Sequence, residues 1–99
     1  MGVSKVAHES QIQAKVRAEI KKLGWITVKF NADAYNGGAG FPDLICLGPG
    51  GTLVLLELKK PDGRVSKIQK WWHDQLRGLG HRVHVVTTVE QAIDACKEE

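Results

Sequence analysis

The sequence predicts an α/β fold in which one mixed central sheet is flanked by helices. Three observations carry that expectation. Apolar residues recur at three- and four-residue steps over residues 5–23. Two β-rich runs meet at a Gly-Pro-Gly-Gly turn at 48–51, and a serine-capped helical stretch separates them from a further β-rich run. Read in order, the elements are α-β-β-β-α-β-α, which suits helices packed on a single sheet. The 99 residues are expected to form one domain, 1–99, since chains of this length enclose a single core.

In the opening helix, Ile12, Val16, Ile20 and Leu23 form the apolar stripe and Gly24 supplies the stop. Trp25 to Phe30 reads WITVKF, rich in β-branched and aromatic residues, and predicts a strand. Asn31 to Gly40 has almost nothing to pack and predicts a surface loop. Asp43 to Leu47 and Thr52 to Lys59 predict two more strands, paired as a hairpin. Pro61-Asp62-Gly63 breaks the chain; Ser66 then caps a second helix reaching about Leu79, with Gly80 just past its end. Val83 to Thr87 predicts the fourth strand and Val89 to Lys97 a short closing helix.

Composition narrows the class. Hydrophobic content of 42% and charged content of 25% are ordinary for a soluble globular protein. No apolar run approaches the ~18 residues of a membrane span, and the N-terminus lacks the apolar core of a signal peptide. The opening Met-Gly-Val-Ser only grazes a myristoylation pattern, because Val6 stands where Ser or Thr is wanted. Cys46 and Cys96 lack metal-ligand spacing and read as buried, reduced thiols of a cytoplasmic protein. The net charge of +3 is compatible with a polyanionic partner, although many small basic domains never touch nucleic acid.

The third strand carries the first chemical signal. Both faces of Thr52-Leu-Val-Leu-Leu-Glu-Leu-Lys59 are apolar for most of their length, which marks a central strand covered on both sides. Glu57 and Lys59 share one face because side chains alternate with period two. A carboxylate buried there needs a metal ion or a partner charge; a solvated ion pair at a frayed strand end is the alternative. Asp43 follows Pro42 and opens the neighbouring strand. If the hairpin pairs 48 with 52, Asp43 falls opposite Glu57 with Cβ atoms ~5 Å apart, where two carboxylates repel unless a cation lies between them. That register demands an odd-numbered turn or a compensating bulge. As a lone residue, Asp43 also reads as a turn or cap. Glu9 falls in the middle of the first helix's apolar stripe, one turn early, and points toward whatever the helix covers; a first-turn Glu on the helix dipole is the other reading.

Pro42-Asp43, thirteen intervening residues and Glu57-Leu58-Lys59 resemble the PD-(D/E)XK nuclease signature. The wider text, GFPDLI at 40–45, LLELKKPDGRVSKIQKWW at 55–72 and GHRVHVVTT at 80–88, resembles the VRR-NUC branch of that superfamily over about residues 8 to 96. With no further domain in the chain, it looks like the stand-alone form found in phages and bacteria, which places it in the cytoplasm of a bacterium or phage-infected host. The resemblance implies a restriction-endonuclease-like α-β-β-β-α-β core. It also implies an Mg²⁺- or Mn²⁺-dependent DNA endonuclease that resolves Holliday junctions as a homodimer, with no small-molecule cofactor and no membrane. By position it implies that Asp43 and Glu57 bind metal together with Glu9 and the Leu58 carbonyl, that Lys59 is the catalytic lysine, and that Gln69 faces the site from the second helix.

The chemistry is coherent with that implication. Two or three carboxylates with water suit Mg²⁺ or Mn²⁺, and such a metal lowers the pKa of bound water and clamps a phosphate. Lys59 is best used charged, orienting the attacking water or meeting developing negative charge. Ser66-x-x-Gln69 is also a capping box, so Gln69 has capping and site contact open to it, and the two can coexist. His8, His73, His81 and His84 make no zinc pair and read as ordinary polar residues, with His8 beside Glu9 placed to touch substrate. DNA contact is expected from Lys60, Arg64, Lys67 and Lys70, with backbone amides at the second helix's start and the 31–40 loop; a merely solvated charged face is the alternative. Trp72 is expected inward with Ile68 and Leu79, and Trp71 at the margin, as core or as a dimer anchor. Two other functions remain open: a flap or nicking nuclease without junction preference, and a non-catalytic DNA-binding module on the same fold.

Overall fold

The computed structural model describes residues 5–30 and 38–97, with side chains described from residue 11 onward within those ranges. Helix α1 (Lys5–Lys22) leads into strand β1 (Ile26–Lys29). Strands β2 (Leu44–Leu47) and β3 (Leu53–Leu58) follow, joined through a 3-10 turn at Pro49–Gly51. Helix α2 (Lys67–Gly78), strand β4 (Arg82–Val86) and helix α3 (Val89–Lys97) complete the order. The sheet runs β1-β2-β3-β4; its first two pairings are antiparallel, and β3 pairs with β4 in parallel across the α2 crossover. The fold is therefore the mixed α/β arrangement expected, with the fourth strand starting one residue earlier than its apolar run suggests.

Local chemistry sets the boundaries of α2. Its N-terminus is a complete capping box: Gln69 N donates to Ser66 Oγ at 3.2 Å while Ser66 N donates to Gln69 Oε1 at 2.8 Å. Its end is a Schellman motif, with Gly80 N donating to Arg77 O and His81 N to Leu76 O, both at 3.0 Å. That motif needs a left-handed residue, and Gly80 supplies it at φ 91°.

The two faces of the sheet differ. Against one face α1 and α3 bury Val16, Ile20, Ala92 and Ala95 on Leu44, Cys46, Val54, Leu56 and Leu58. Cys46 and Cys96 meet in this core as free thiols; the hydrogen bond between them and burial push the Cys46 thiol far up, so it stays unreactive. The other face carries Leu55, Glu57 and Val83, buried under α2. Here one expectation is corrected. Ile68 and Leu79 are exposed, and the side of α2 that reaches the sheet carries Gln69 and His73. A buried carboxylate beneath the helix demands hydrogen-bond donors above it, so the inward stripe is partly polar and its neighbour, the apolar stripe, becomes a flank.

Candidate active site

Asp43 lies one residue before β2, after the buried Pro42, with its carbonyl bonded to Phe30 N at 2.9 Å. The β2–β3 register pairs Leu44 with Leu56, and Gly48 N donates to Thr52 O at 2.8 Å across the three-residue turn. Extending that register by one residue sets Asp43 opposite Glu57, so both carboxylates belong to the α2 face. The turn is odd-numbered, as this alignment requires. Asp43 Oδ2 accepts a hydrogen bond from Leu58 N at 2.8 Å, which ties the carboxylate to the end of β3.

Glu57 is only 1% exposed. Its Oε2 accepts from Gln69 Nε2 at 3.3 Å, and its Oε1 lies 3.2 Å from His73 Nε2. Four residues separate Gln69 from His73, one helical turn, so α2 aims both donors down the same line. Gln69 has no freedom to flip: its Oε1 already accepts from Ser66, which leaves the NH₂ for Glu57. Capping and site contact thus coexist in one side chain. Burial, then the nearby Arg77 charge, lowers the His73 pKa below its usual 6.5, so the ring is neutral at pH 7. A carboxylate only accepts, so the Nε2 of that neutral ring must carry the proton. Donors to a charged acceptor contribute about 1.5–3 kcal/mol each, which offsets part of the cost of burying Glu57.

Lys59 follows directly, half-buried, its amide extending the β3–β4 ladder to Val86 O at 2.9 Å. Lys59 shares the face of Glu57 by alternation along the chain. Asp43, Glu57, Lys59 and Gln69 therefore gather at the C-terminal end of β3, where the Leu58 carbonyl also lies. Glu9 is within the backbone range of α1, but its side chain, like that of His8, lies outside the described residues. His73 joins the cluster although its sequence reading was an ordinary polar role. The four-residue step from Gln69 was the available signal.

The expected DNA-contact cations are spread along the connection into α2. Arg64 and Lys67 are exposed, Lys60 Nζ is 3.6 Å from Asp62, and Lys70 Nζ is 3.0 Å from Asp74. The exposed Lys70–Asp74 pair holds its charges only weakly. The amide of Gln69 is taken by Ser66, so the helix start offers fewer free amides to a phosphate than its sequence suggests. Residues 31–37 of the anticipated loop lie outside the described residues. Its end is fixed on α2: Trp72 Nε1 donates to Ala39 O at 2.9 Å, and a Cβ on Gly40, at φ +88°, would stand 2.9 Å from Ile68.

Among the described residues no three His, Cys, Asp or Glu side chains gather as a metal site. What is present, two opposed carboxylates and a strand-end carbonyl, is a set of hard oxygen donors that fits a hard divalent cation once a third acidic group or water completes it. A cleft of about 450 Å³ between α1 and the start of β1, lined by Arg17, Lys21, Trp25 and Thr27 among others, lies away from Glu57 and has no catalytic grouping.

Comparison with known proteins points the same way. A sequence-family description, the VRR-NUC domain, matches residues 3–90. A protein of Acyrthosiphon pisum secondary endosymbiont phage 1, named "Putative nuclease p44", is 30% identical over 82 residues, 83% of this chain and 85% of that protein. A solved structure named "VRR_NUC domain" superposes with a TM-score of 0.79 at 25% identity, covering 92% of this chain and 96% of its own. Another, "VRR_NUC domain protein", superposes at 0.75 with 19% identity, covering 98% and 88%, a likeness of fold.

Proposed function

The chain belongs to the VRR-NUC domain family, a nuclease family, and on that premise we propose that it is an Mg²⁺- or Mn²⁺-dependent DNA endonuclease that cuts four-way (Holliday) junctions as a homodimer. The observation that supports this reading best is the placement of Asp43 opposite Glu57, on the face where Gln69 and His73 converge. When bound, the metal supplies an activated water and relief of charge on the phosphate. The protein's part is to hold its ligands still.

Glu57 is oriented from above by Gln69 and His73, and Asp43 from the side by the Leu58 amide. Such outer contacts fix ligand geometry and typically govern affinity by 10–100-fold. By the family resemblance Glu9 is the residue that completes the acidic set, and the Leu58 carbonyl adds an oxygen. Lys59, next along the chain from the Glu57 strand end, meets the negative charge that develops on the phosphate. Lys60, Arg64, Lys67 and Lys70 position the DNA backbone without reading bases, which suits recognition of DNA shape. A junction needs symmetric cuts in two strands, and a two-fold dimer provides two sites.

Cleavage of four-way junctions, flaps, nicked and plain duplex, each with and without Mg²⁺ or Mn²⁺, tests the proposal. Paired cuts restricted to the junction, and only with metal, are expected. Equal cutting of flaps or nicks makes the protein a nuclease without junction preference. Binding without cleavage of any substrate makes it a DNA-binding module.

A further inference from the structure

The cleft between α1 and the edge strand β1 lies on the side of the sheet opposite Glu57 and encloses about 450 Å³. Helix α1 builds one wall. Ala14, Arg17, Ala18 and Lys21 recur at three- and four-residue steps, so they share one face of the helix, turned away from Glu19. The two alanines keep that wall low, and Trp25, 8% exposed, closes the floor. On the strand, Thr27 pairs with Cys46 and Lys29 with Leu44, both core residues beneath α1. Thr27 and Lys29 therefore stand on the helix side of β1.

The charges in this cleft are unspent. Arg17 Nε donates to Thr27 Oγ1 at 3.0 Å, which fixes the guanidinium and leaves its terminal amines without a partner among the described residues. Lys21 and Lys29 are exposed and make no ion pair among those residues either. Among the described residues no acidic side chain lines the cleft, and Glu19 pairs with Lys22 at 2.7 Å. The strand adds main-chain donors. Phe30 N donates to Asp43 O, so the hydrogen-bonded pairs fall at 30, 28 and 26, and the amides of Thr27 and Lys29 face the open edge of the sheet. Cations and amides above an apolar floor suit a sugar–phosphate backbone, phosphates on the donors and deoxyribose on the floor.

Position says which part of a DNA it meets. Lys29 pairs with Leu44, next to Asp43, so the line of cations starts at the catalytic end of the sheet. It runs back to Lys21 near Trp25, about 13 Å by strand rise, or roughly four base pairs. The paired carboxylates face α2, on the other side of the sheet. A straight duplex lying on that side does not also follow β1 down the α1 side. Arms that diverge from a branch point do both. We infer that the α1–β1 cleft, through Arg17, Lys21 and Lys29, grips the backbone of a second DNA arm and so makes the protein prefer branched to linear DNA. The inference rests on the DNA nuclease proposed above and assigns it a second binding site.

Binding of a four-way junction and of a plain duplex, measured against salt with Ca²⁺ in place of Mg²⁺, tests this apart from cleavage. Each phosphate contact contributes about 0.9 to the slope of log affinity against log salt. Lys21→Ala combined with Lys29→Ala should thus lower the junction slope by about 1.8 and junction affinity at least about 10-fold at 0.1 M salt. Plain duplex should keep its slope and affinity. Lys21→Arg with Lys29→Arg, which keeps both charges, should keep the junction preference. Both positions are exposed, so circular dichroism should match the wild type; if the double variant misfolds, Lys21→Ala alone, with half the slope change, decides. Equal losses on junction and duplex, no loss on either, or a wild type without junction preference overturns the inference. Lost binding to phosphatidylserine vesicles with junction binding intact also overturns it, and makes the cleft a membrane contact. A lysine-dependent junction preference in a protein that cuts no DNA leaves the cleft standing and removes the nuclease reading. Metal-dependent cutting with unchanged binding by the folded variant does the reverse.

Discussion

Replacing His73 with leucine removes the Nε2 donor 3.2 Å from Glu57 Oε1 while keeping an apolar body of similar bulk under α2. Glu57 is 1% exposed and His73 2%, so water does not take the donor's place without local opening. A hydrogen bond to a charged acceptor contributes about 1.5–3 kcal/mol, and in a domain this small each kcal/mol moves the midpoint by about 4–8 °C. A fall on the order of 10 °C in Tm is therefore expected for His73→Leu. His73→Gln, whose amide nitrogen reaches the Nε2 position, should recover most of it. Cleavage should fall by roughly 10–100-fold in the leucine variant and much less in the glutamine variant, the usual effect of losing a contact that orients a ligand. The pH dependence has a definite sign. The His73 pKa is lowered in the folded protein, so the unfolded chain takes up a proton first as pH falls below about 6.5, and stability declines there. That part of the decline should be missing from His73→Gln. Equal stability and equal activity of the leucine and glutamine variants would refute the claim that Nε2 holds Glu57.

Three further outcomes follow from the geometry. Ser66→Ala removes the acceptor for Gln69 N and should cost about 1 kcal/mol, visible in chemical denaturation, as cap losses usually do. Arg64→Ala combined with Lys67→Ala should weaken DNA binding uniformly across sequences and lower the slope of log affinity against log salt by roughly 2, with no loss of metal-dependent cutting at saturating DNA. Gly40→Ala places a Cβ 2.9 Å from Ile68 at φ +88°, so it should destabilise by more than about 1 kcal/mol and loosen the 38–41 segment, read by hydrogen exchange at Trp72 Nε1, which now bonds Ala39 O.

Much of the architecture was legible because each element announces itself locally. The Ser66–Gln69 box and Gly80 delimit α2, and the Gly-rich turn sets the hairpin register that brings Asp43 opposite Glu57. The parity argument on residues 43 and 57 needed only the alternation of side chains and an odd turn. His73 was not legible in the same way. Hydrophobic periodicity finds the apolar stripe of a helix, and on α2 that stripe, Ile68 and Leu79, is an exposed flank; the face that descends on the sheet is chosen by what Glu57 needs. A sequence pattern registers burial of carbon, whereas this contact is a donor placed over a buried acceptor. Trp71 stood at the margin in the sequence and is half-exposed in the fold, a difference of degree that packing alone decides.

The most direct test of the whole account is cleavage of a four-way junction by Asp43→Asn and Glu57→Gln beside the wild type, in Mg²⁺ and in Mn²⁺. Asp43→Asn keeps an oxygen for the Leu58 amide; Glu57→Gln keeps one oxygen for Gln69 Nε2 and offers its NH₂ to His73 Nε2, which accepts in the ring's other neutral tautomer, so folding should survive while the charge that holds the cation is lost. Cutting should fall by at least about 100-fold in each variant and vanish when metal is chelated. Wild-type rates in either folded variant, or undiminished cutting in chelator, would contradict the assignment of these two carboxylates as the centre of a metal-dependent nuclease.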